Sequence, residues 1–347
     1  MNVLYVNLLP DNHIFGHKNI DTNLINLLAV FTKVDVIASY NWYSIRNNNV
    51  KILEINNDQY TDKIGYYWVC LKKTLKVLER DRKIKYDYII LASSDVYMAV
   101  LVTVFKTYKK RIFIIHHDNI DSIYLNKKKQ LFFRLYKKKI HHIVLEKYIY
   151  YFLVHSLNVP VNKIHLVSHP CNQKQLNPAI YDCVGISNSN DENWIRQLIN
   201  EEKEYSTFKR ENLQVLLRSK LYTYDDGYLH VINGVFPSQI YDSYITSAKA
   251  LLLPFPLSFQ YRASGSLIDA LSNSIYVIGS DIPCFQYYSK RYPNICKTIS
   301  KRSDFIMILK KIGENSEMEK EEFKVFREEH SEKVILKQLK TVLQYEE

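Results

Sequence analysis

At 347 residues the chain is long for one compact core and comfortable for two lobes of about 150 residues each. Its apolar share of 47% and charged share of 24% are those of a folded globular protein and exclude disorder as the default. The net charge of +11 is lopsided, with 25 Lys/Arg against 13 Asp/Glu in residues 1–170 and 22 against 23 in the remainder.

A basic half suits an anionic partner, with nucleic acid, an anionic membrane, a phosphorylated substrate and a merely solvated lysine-rich face all open. The five cysteines (Cys70, Cys171, Cys183, Cys284 and Cys296) form no C-x-x-C pair. Their spacing fits neither a zinc site nor a disulfide framework, which points to a reducing cytoplasm. The first residues, Met1-Asn-Val-Leu-Tyr-Val, read as a buried strand rather than a signal peptide. The longest apolar run, Tyr97 to Phe105, is about half of a bilayer span.

In chain order, Asn2–Asn7, 34–39, 88–92 and 111–116 read as strands, being short and rich in Ile and Val. Helical periodicity fills 21–31, 65–82 and 95–109 between them. A strand at 142–145, a helix at 147–157 and a short strand at 163–167 follow. Such alternation predicts a parallel sheet wrapped on both faces. The stretch Ser168 to Pro178 carries Pro170 and Pro178 without apolar periodicity and reads as an interdomain crossing. A second series has strands at 181–186, 213–218, 230–231, 248–253 and 276–278, with helices beginning near Asn190, Pro237 and Ser264. The end, 319–345, reads as one long charged helix. The expected domains are 1–170, 171–325, and a helix 326–347 that packs back toward the first lobe.

In open parallel sheets ligands bind at the carboxyl ends of strands. After residues 111–115 of that strand comes His116-His-Asp-Asn-Ile-Asp, the densest polar cluster of the first lobe. His117, His116 and Asp118 are its catalytic candidates, and a structural pair capping the next helix is the alternative. Asp118 and Asp121 form no D-x-D, and no such triplet occurs in the chain, so no metal site is expected. In the second lobe Ser264, Gly265 and Ser266 open a helix, whose N-terminus suits a phosphate. Arg262 adds a bidentate cation. Ser187 and Asn188, after the first strand of that lobe, either hold phosphate or belong to a helix cap. Arg218 and Lys220 either reach a diphosphate or are ordinary surface charges.

The run Leu251-Leu-Leu-Pro-Phe-Pro through Tyr261-Arg-Ala-Ser-Gly-Ser-Leu-Ile-Asp-Ala-Leu to Tyr276-Val-Ile-Gly-Ser-Asp resembles the donor-binding motif of glycosyltransferase family 4. Asn158-Val-Pro through Lys163-Ile-His-Leu-Val-Ser-His-Pro resembles that family's interdomain crossing, and Phe113-Ile-Ile-His-His-Asp its first-lobe strand. The resemblance implies the GT-B fold: two Rossmann-like lobes with parallel sheets facing across a cleft. It implies a glycosyltransferase, retaining in that family, with no cofactor or metal and with a nucleoside-diphosphate sugar, a UDP-sugar, as donor. Of the family's two motif glutamates, the first falls on Tyr261 and the second on Asp269, the ribose position. His117 is placed across from Ser264–Ser266, with Arg262 as the substitute diphosphate cation. The acceptor is expected to be a saccharide, lipid-linked and presented at an anionic membrane surface through the basic segment 125–139, in bacterial surface-polysaccharide assembly. Nucleic acid finds no supporting motif. A sugar-nucleotide epimerase and a non-catalytic partner subunit, the latter suggested by the glutamate lost at Tyr261, are the alternatives.

Overall fold

The computed structural model describes residues 1–9, 18–39, 45, 47–55, 60, 62–104, 111–117, 119–313 and 316–344. The chain divides into two compact units. Unit 1 holds Met1–Pro170, Tyr261–Ala263 and His330–Glu347, and unit 2 holds Cys171–Gln260 and Ser264–Glu329.

Unit 1 runs β1 (Asn2–Asn7), α1 (Lys18–Ala29), β2 (Lys33–Ser39), β3 (Val50–Ile55), α2 (Lys63–Ile84), β4 (Tyr88–Ser93) and α3 (Val96–Val104). It continues with β5 (Ile112–His116), α4 (Asn119–Leu125), α5 (Lys127–Tyr136), β6 (His141–Val144), α6 (Lys147–His155) and β7 (Ile164–Leu166). Its sheet order is β3-β2-β1-β4-β5-β6-β7, parallel throughout the described pairings. Winding outward from β1 in both directions places the reversal of strand order between β1 and β4, where such sheets open a ligand crevice. β1, β4 and β5 are almost wholly buried, as strands covered on both faces must be. A last helix, α14 (Glu332–Gln344), completes the core, with Ile335, Leu339 and Leu343 packing beside Leu24 and Leu28 of α1.

Unit 2 runs β8 (Tyr181–Gly185), α7 (Glu192–Tyr205), α8 (Thr207–Glu211), β9 (Val215–Ser219), β10 (Tyr224–Asp225), β11 (Leu229–Asn233), α9 (Ser238–Thr246) and β12 (Ala248–Leu253). Then come α10 (Gly265–Ser272), β13 (Tyr276–Ser280), α11 (Pro283–Arg291), β14 (Cys296–Ile299), α12 (Arg302–Lys311) and α13 (Ser316–Glu329). The order β10-β11-β9-β8-β12-β13-β14 repeats the doubly wound pattern, with the reversal between β8 and β12. Only β10 is antiparallel to its neighbour among the described pairings. Gly279 lets α11 approach the sheet: a Cβ there would lie 2.3 Å from the buried Phe285 ring.

The single C-terminal helix expected at 319–345 is instead two. It breaks at His330–Ser331, where His330 Nδ1 lies 2.8 Å from the His169 carbonyl. Phe323 and Phe326 of α13 are buried in unit 2, whereas Ile335 and Leu339 of α14 are buried in unit 1. The chain thus returns to unit 1 at His330, not at 326. The crossing is held at both ends, by Ser168 N on Gln338 Oε1 at 2.8 Å in unit 1 and by Lys174 N on Asn273 Oδ1 at 2.6 Å in unit 2.

Candidate active site

In unit 2 the buried apolar run Ala250-Leu-Leu-Leu makes β12 a central strand, and α10 begins twelve residues beyond its carboxyl end. Ser264 has extended backbone and its Oγ accepts from Leu267 N at 3.3 Å, which makes it the N-cap. Gly265 is the first helical residue, and a Cβ on it would meet nothing within 4 Å. The first helical residue therefore borders open space, and amides at a helix start favour an anion.

Leu267, Ile268, Ala270 and Leu271 bury one side of α10. Ser266 and Asp269, three apart, share another side. Ser266 Oγ accepts from Tyr241 Oη at 2.8 Å. Asp269 lies 3.7 Å from Lys174 Nζ, which bonds Asp242 at 2.7 Å. Burial pushes the Asp269 carboxyl up to about 6, with Lys174 opposing the rise and Asp242 adding to it.

Beyond β8, Ser187 Oγ accepts from Ser189 N at 3.2 Å, while Asn188 is exposed. The helix cap in this loop is Asp191, accepting from Asn193 N at 2.9 Å. Asn190 instead clamps two strand ends, donating to the carbonyls of Gly185 at 2.7 Å and Arg218 at 3.1 Å. Arg218 is not the surface charge its isolation suggested. It is 4% exposed and its Nε donates to the Gly234 carbonyl. The strand alternation that buries β9 on both faces carries it inward, and this burial lowers its guanidinium. Lys220, one residue past β9, is exposed.

In unit 1 His116 ends β5, His117 follows it, and the two diverge. His116 is fully buried, stacked on His142 with Nε2 2.9 Å from His142 Nδ1. Because His142 Nε2 faces the Lys137 carbonyl at 2.9 Å, it must carry the proton there. His142 Nδ1 then accepts from His116 Nε2, and His116 Nδ1 lies 2.9 Å from Asn119 Oδ1. Burial lowers His116 to about 4, so it is a neutral internal brace and not a group that meets substrate.

His117 is 6% exposed and its Nε2 lies 3.8 Å from Asp21 Oδ1. Asp21 is fully buried in the first turn of α1 and accepts from Tyr5 Oη at 2.7 Å and Asn7 Nδ2 at 3.3 Å. Asp118 falls outside the described residues. Asp21 went unread in the sequence, although a carboxylate among Ile20, Leu24, Ile25 and Leu28 on one apolar helix face was the available signal.

Tyr261, Arg262 and Ala263 group with unit 1. Tyr261 stacks on Phe152 at 3.5 Å between ring centroids. Tyr261 N and Arg262 Nε each reach one oxygen of Asp121 at 2.6 Å. Tyr148 Oη donates to the Arg262 carbonyl at 2.6 Å, and Ala263 N to the His117 carbonyl at 3.2 Å. The guanidinium expected to face a diphosphate is therefore occupied by a carboxylate of its own unit. Among the described residues no group of three or more His, Cys, Asp or Glu is arranged to hold a metal ion.

No family model and no curated protein sequence matches the chain. Its structure is similar over nearly its whole length to sucrose-phosphate synthase from Thermosynechococcus elongatus, at 10% identity, TM-score 0.74, and 99% and 98% of the two chains covered. It is similar also to Anabaena HepE in complex with UDP and glucose, at 11% identity, TM-score 0.68, and 99% and 100% covered. A third likeness is to UDP-N-acetylglucosamine 2-epimerase from Rickettsia bellii, at 14% identity, TM-score 0.58, and 99% and 97% covered. At such identities the likeness establishes the fold, which is GT-B, with two Rossmann-like units of mostly parallel sheet.

Proposed function

We propose that the chain is a glycosyltransferase that moves a sugar from a nucleoside-diphosphate sugar, with UDP as the nucleotide, to a saccharide hydroxyl. The observation that carries this reading is the start of α10 at the carboxyl side of β12, with open space beside Gly265 and a carboxyl one turn on. The leaving group is a diphosphate, so the main task is to stabilise its developing charge. Gly265 and Ser266 amides are assigned to that charge, and Asp269 to the ribose hydroxyls. The 187–188 loop and Lys220 are assigned secondary donor contacts, and His117 a hydrogen bond to the transferred sugar, its ring oriented by Asp21. Retention of anomeric configuration and independence from metal rest on the family resemblance.

Incubation with UDP-glucose, UDP-galactose and UDP-N-acetylglucosamine tests this directly. Release of UDP that depends on an added saccharide is the expected result. Interconversion of the donor without an acceptor would instead favour the epimerase activity that the same fold also carries.

The acceptor is proposed to be lipid-linked and met at the cytoplasmic membrane face. No described helix is long and apolar enough to cross a membrane. α5 buries Phe133 and Tyr136 but leaves Leu131 and Leu135 more than 45% exposed, beside Lys127, Lys128 and Arg134. Apolar and cationic groups on one outward face suit an anionic interface. Sedimentation with vesicles should show preference for phosphatidylglycerol over phosphatidylcholine, weakened in Leu131→Ser/Leu135→Ser. Equal sedimentation with both lipids contradicts the membrane role.

A further inference from the structure

Unit 1 carries a second polar and aromatic cluster, at the carboxyl end of β4, on the side where its strand order reverses. Tyr60 and rings of α2, α3 and α5 form a continuous line there. Tyr60 meets Tyr66 at 5.8 Å, Tyr66 meets Tyr67 at 5.1 Å, Tyr67 meets Tyr97 at 6.0 Å, and Tyr97 meets Phe132 at 4.8 Å. All five rings are half-buried, so each has surface left beyond its neighbours. A line of rings inside a core would be fully enclosed, as Phe133 and Tyr136 of the same α5 are.

The polar half of the cluster is Ser94, Asp95 and Lys129. Asp95 caps α3 through Oδ1, which accepts from Tyr97 N at 2.9 Å, and its Oδ2 lies 3.5 Å from Lys129 Nζ. Its charge reaches the phenols: after burial, Asp95 is among the causes that raise Tyr66, Tyr67 and Tyr136. Ser94 is 4% exposed, and its hydroxyl has no hydrogen-bond partner among the described residues. A buried hydroxyl with an unmade bond is costly unless something completes it.

Aromatic faces beside fixed hydroxyl, carboxylate and ammonium groups match one ligand chemistry closely. A sugar ring offers a C–H face to stack and a rim of hydroxyls that both donate and accept. A lipid chain would leave the polar groups unmet, and a phosphate would be repelled by Asp95. We infer that the Tyr67–Tyr97–Phe132 row, with Ser94 and Asp95 beside it, seats a sugar ring of the acceptor and sets which saccharide is accepted. The inference rests on the proposed glycosyl transfer and names the recognition surface for its acceptor.

Saturation-transfer NMR on the whole chain tests it, with methyl glycosides of glucose, galactose and N-acetylglucosamine as probes and aromatic protons irradiated. At least one probe should receive saturation at its ring C–H positions. Binding should weaken about tenfold in Tyr97→Ala and Tyr67→Ala, as expected for loss of an aromatic contact, and persist in Tyr97→Phe. Tyr97→Leu keeps apolar bulk without the ring and should lose binding likewise, which decides the matter if an alanine variant does not fold. No transfer to any probe in the wild type, or undiminished transfer in Tyr97→Leu, overturns the inference. UDP binding measured on the same samples separates the failures: intact UDP binding with no sugar contact sinks only the acceptor seat, while absent UDP binding sinks the transferase reading itself.

Discussion

Arg262→Ala should cost unit 1 about 3 kcal/mol, the scale for removing one partner of a buried ion pair. Asp121 is 2% exposed at its side chain and Arg262 30%, so deletion takes the guanidinium from a carboxylate held away from water. The same change unties a segment held by the Tyr261 amide on Asp121 and by the Tyr148 hydroxyl on the Arg262 carbonyl. Asp121→Asn keeps an acceptor for the Tyr261 amide and removes the charge to be paired, so it should cost less, about 1 kcal/mol. Urea unfolding followed by circular dichroism measures both. Equal midpoints for wild type and Arg262→Ala would mean that the pair carries no stability. A loss of UDP affinity in Arg262→Ala at unchanged stability would restore Arg262 to the diphosphate.

Unit 1 should also lose several kcal/mol of stability between pH 6.5 and 4. Two histidine pairs bridge adjacent strands. His116 meets His142, and His141 Nδ1 meets His165 Nε2 at 2.7 Å, with Lys163 Nζ 3.0 Å from His141 Nε2. Burial lowers His116 to about 4 and His141 to about 3, with Lys163 and then His165 adding to the latter. His142 and His165 are lowered for the same first reason. A base whose folded value is depressed contributes stability that is present above its unfolded value, near 6.5, and lost as pH falls through the folded value. Each such histidine contributes up to about 1.4 kcal/mol per pH unit, so His116 and His141 alone give a loss of about 5 kcal/mol from pH 6 to 4.

Asp269 acts in the opposite sense in unit 2. Its carboxyl is raised to about 6, so its contribution is present below about pH 4 and fades as pH rises through 6. Amide hydrogen exchange at pH 4 should therefore show β5 and β6 opening before β12 and β13. Protection of β5 and β6 that is unchanged from pH 7 to 4 would contradict this.

What could be read from the sequence follows the reach of each physical signal. β12 was legible to the residue because a central parallel strand is a continuous apolar run with sharp ends. The edge strands β3 and β14 were not, although the edge strand β7 was: β3 mixes Lys51 and Glu54 with its apolar residues, and β14 has only four residues. The polar cluster after β5 was correctly seen as unusual, but its density did not tell chemistry from architecture. His116 lies within the last rung of a strand buried on both faces, so it turns into the core, and only His117 lies beyond it. Arg262 shows the opposite limit. Its partner Asp121 lies 141 residues away in the chain, a pairing that no local pattern encodes. The helix start at Ser264–Gly265 was legible because capping is a local rule, whereas the engagement of Ser266 by Tyr241 depends on how α9 packs.

The central claim is that the amides opening α10 hold a nucleotide's diphosphate, and Gly265→Asp tests it most directly. A Cβ at Gly265 meets nothing within 4 Å, and an acidic side chain in the first turn of a helix is favourable. The variant should fold with at least wild-type stability while placing a negative charge where the diphosphate is to sit. Thermal unfolding with UDP at about a hundred times its Kd should show the wild type stabilised by about 2.7 kcal/mol and Gly265→Asp by nothing measurable. A wild type indifferent to UDP, or a Gly265→Asp protein stabilised as strongly as the wild type, would contradict the account.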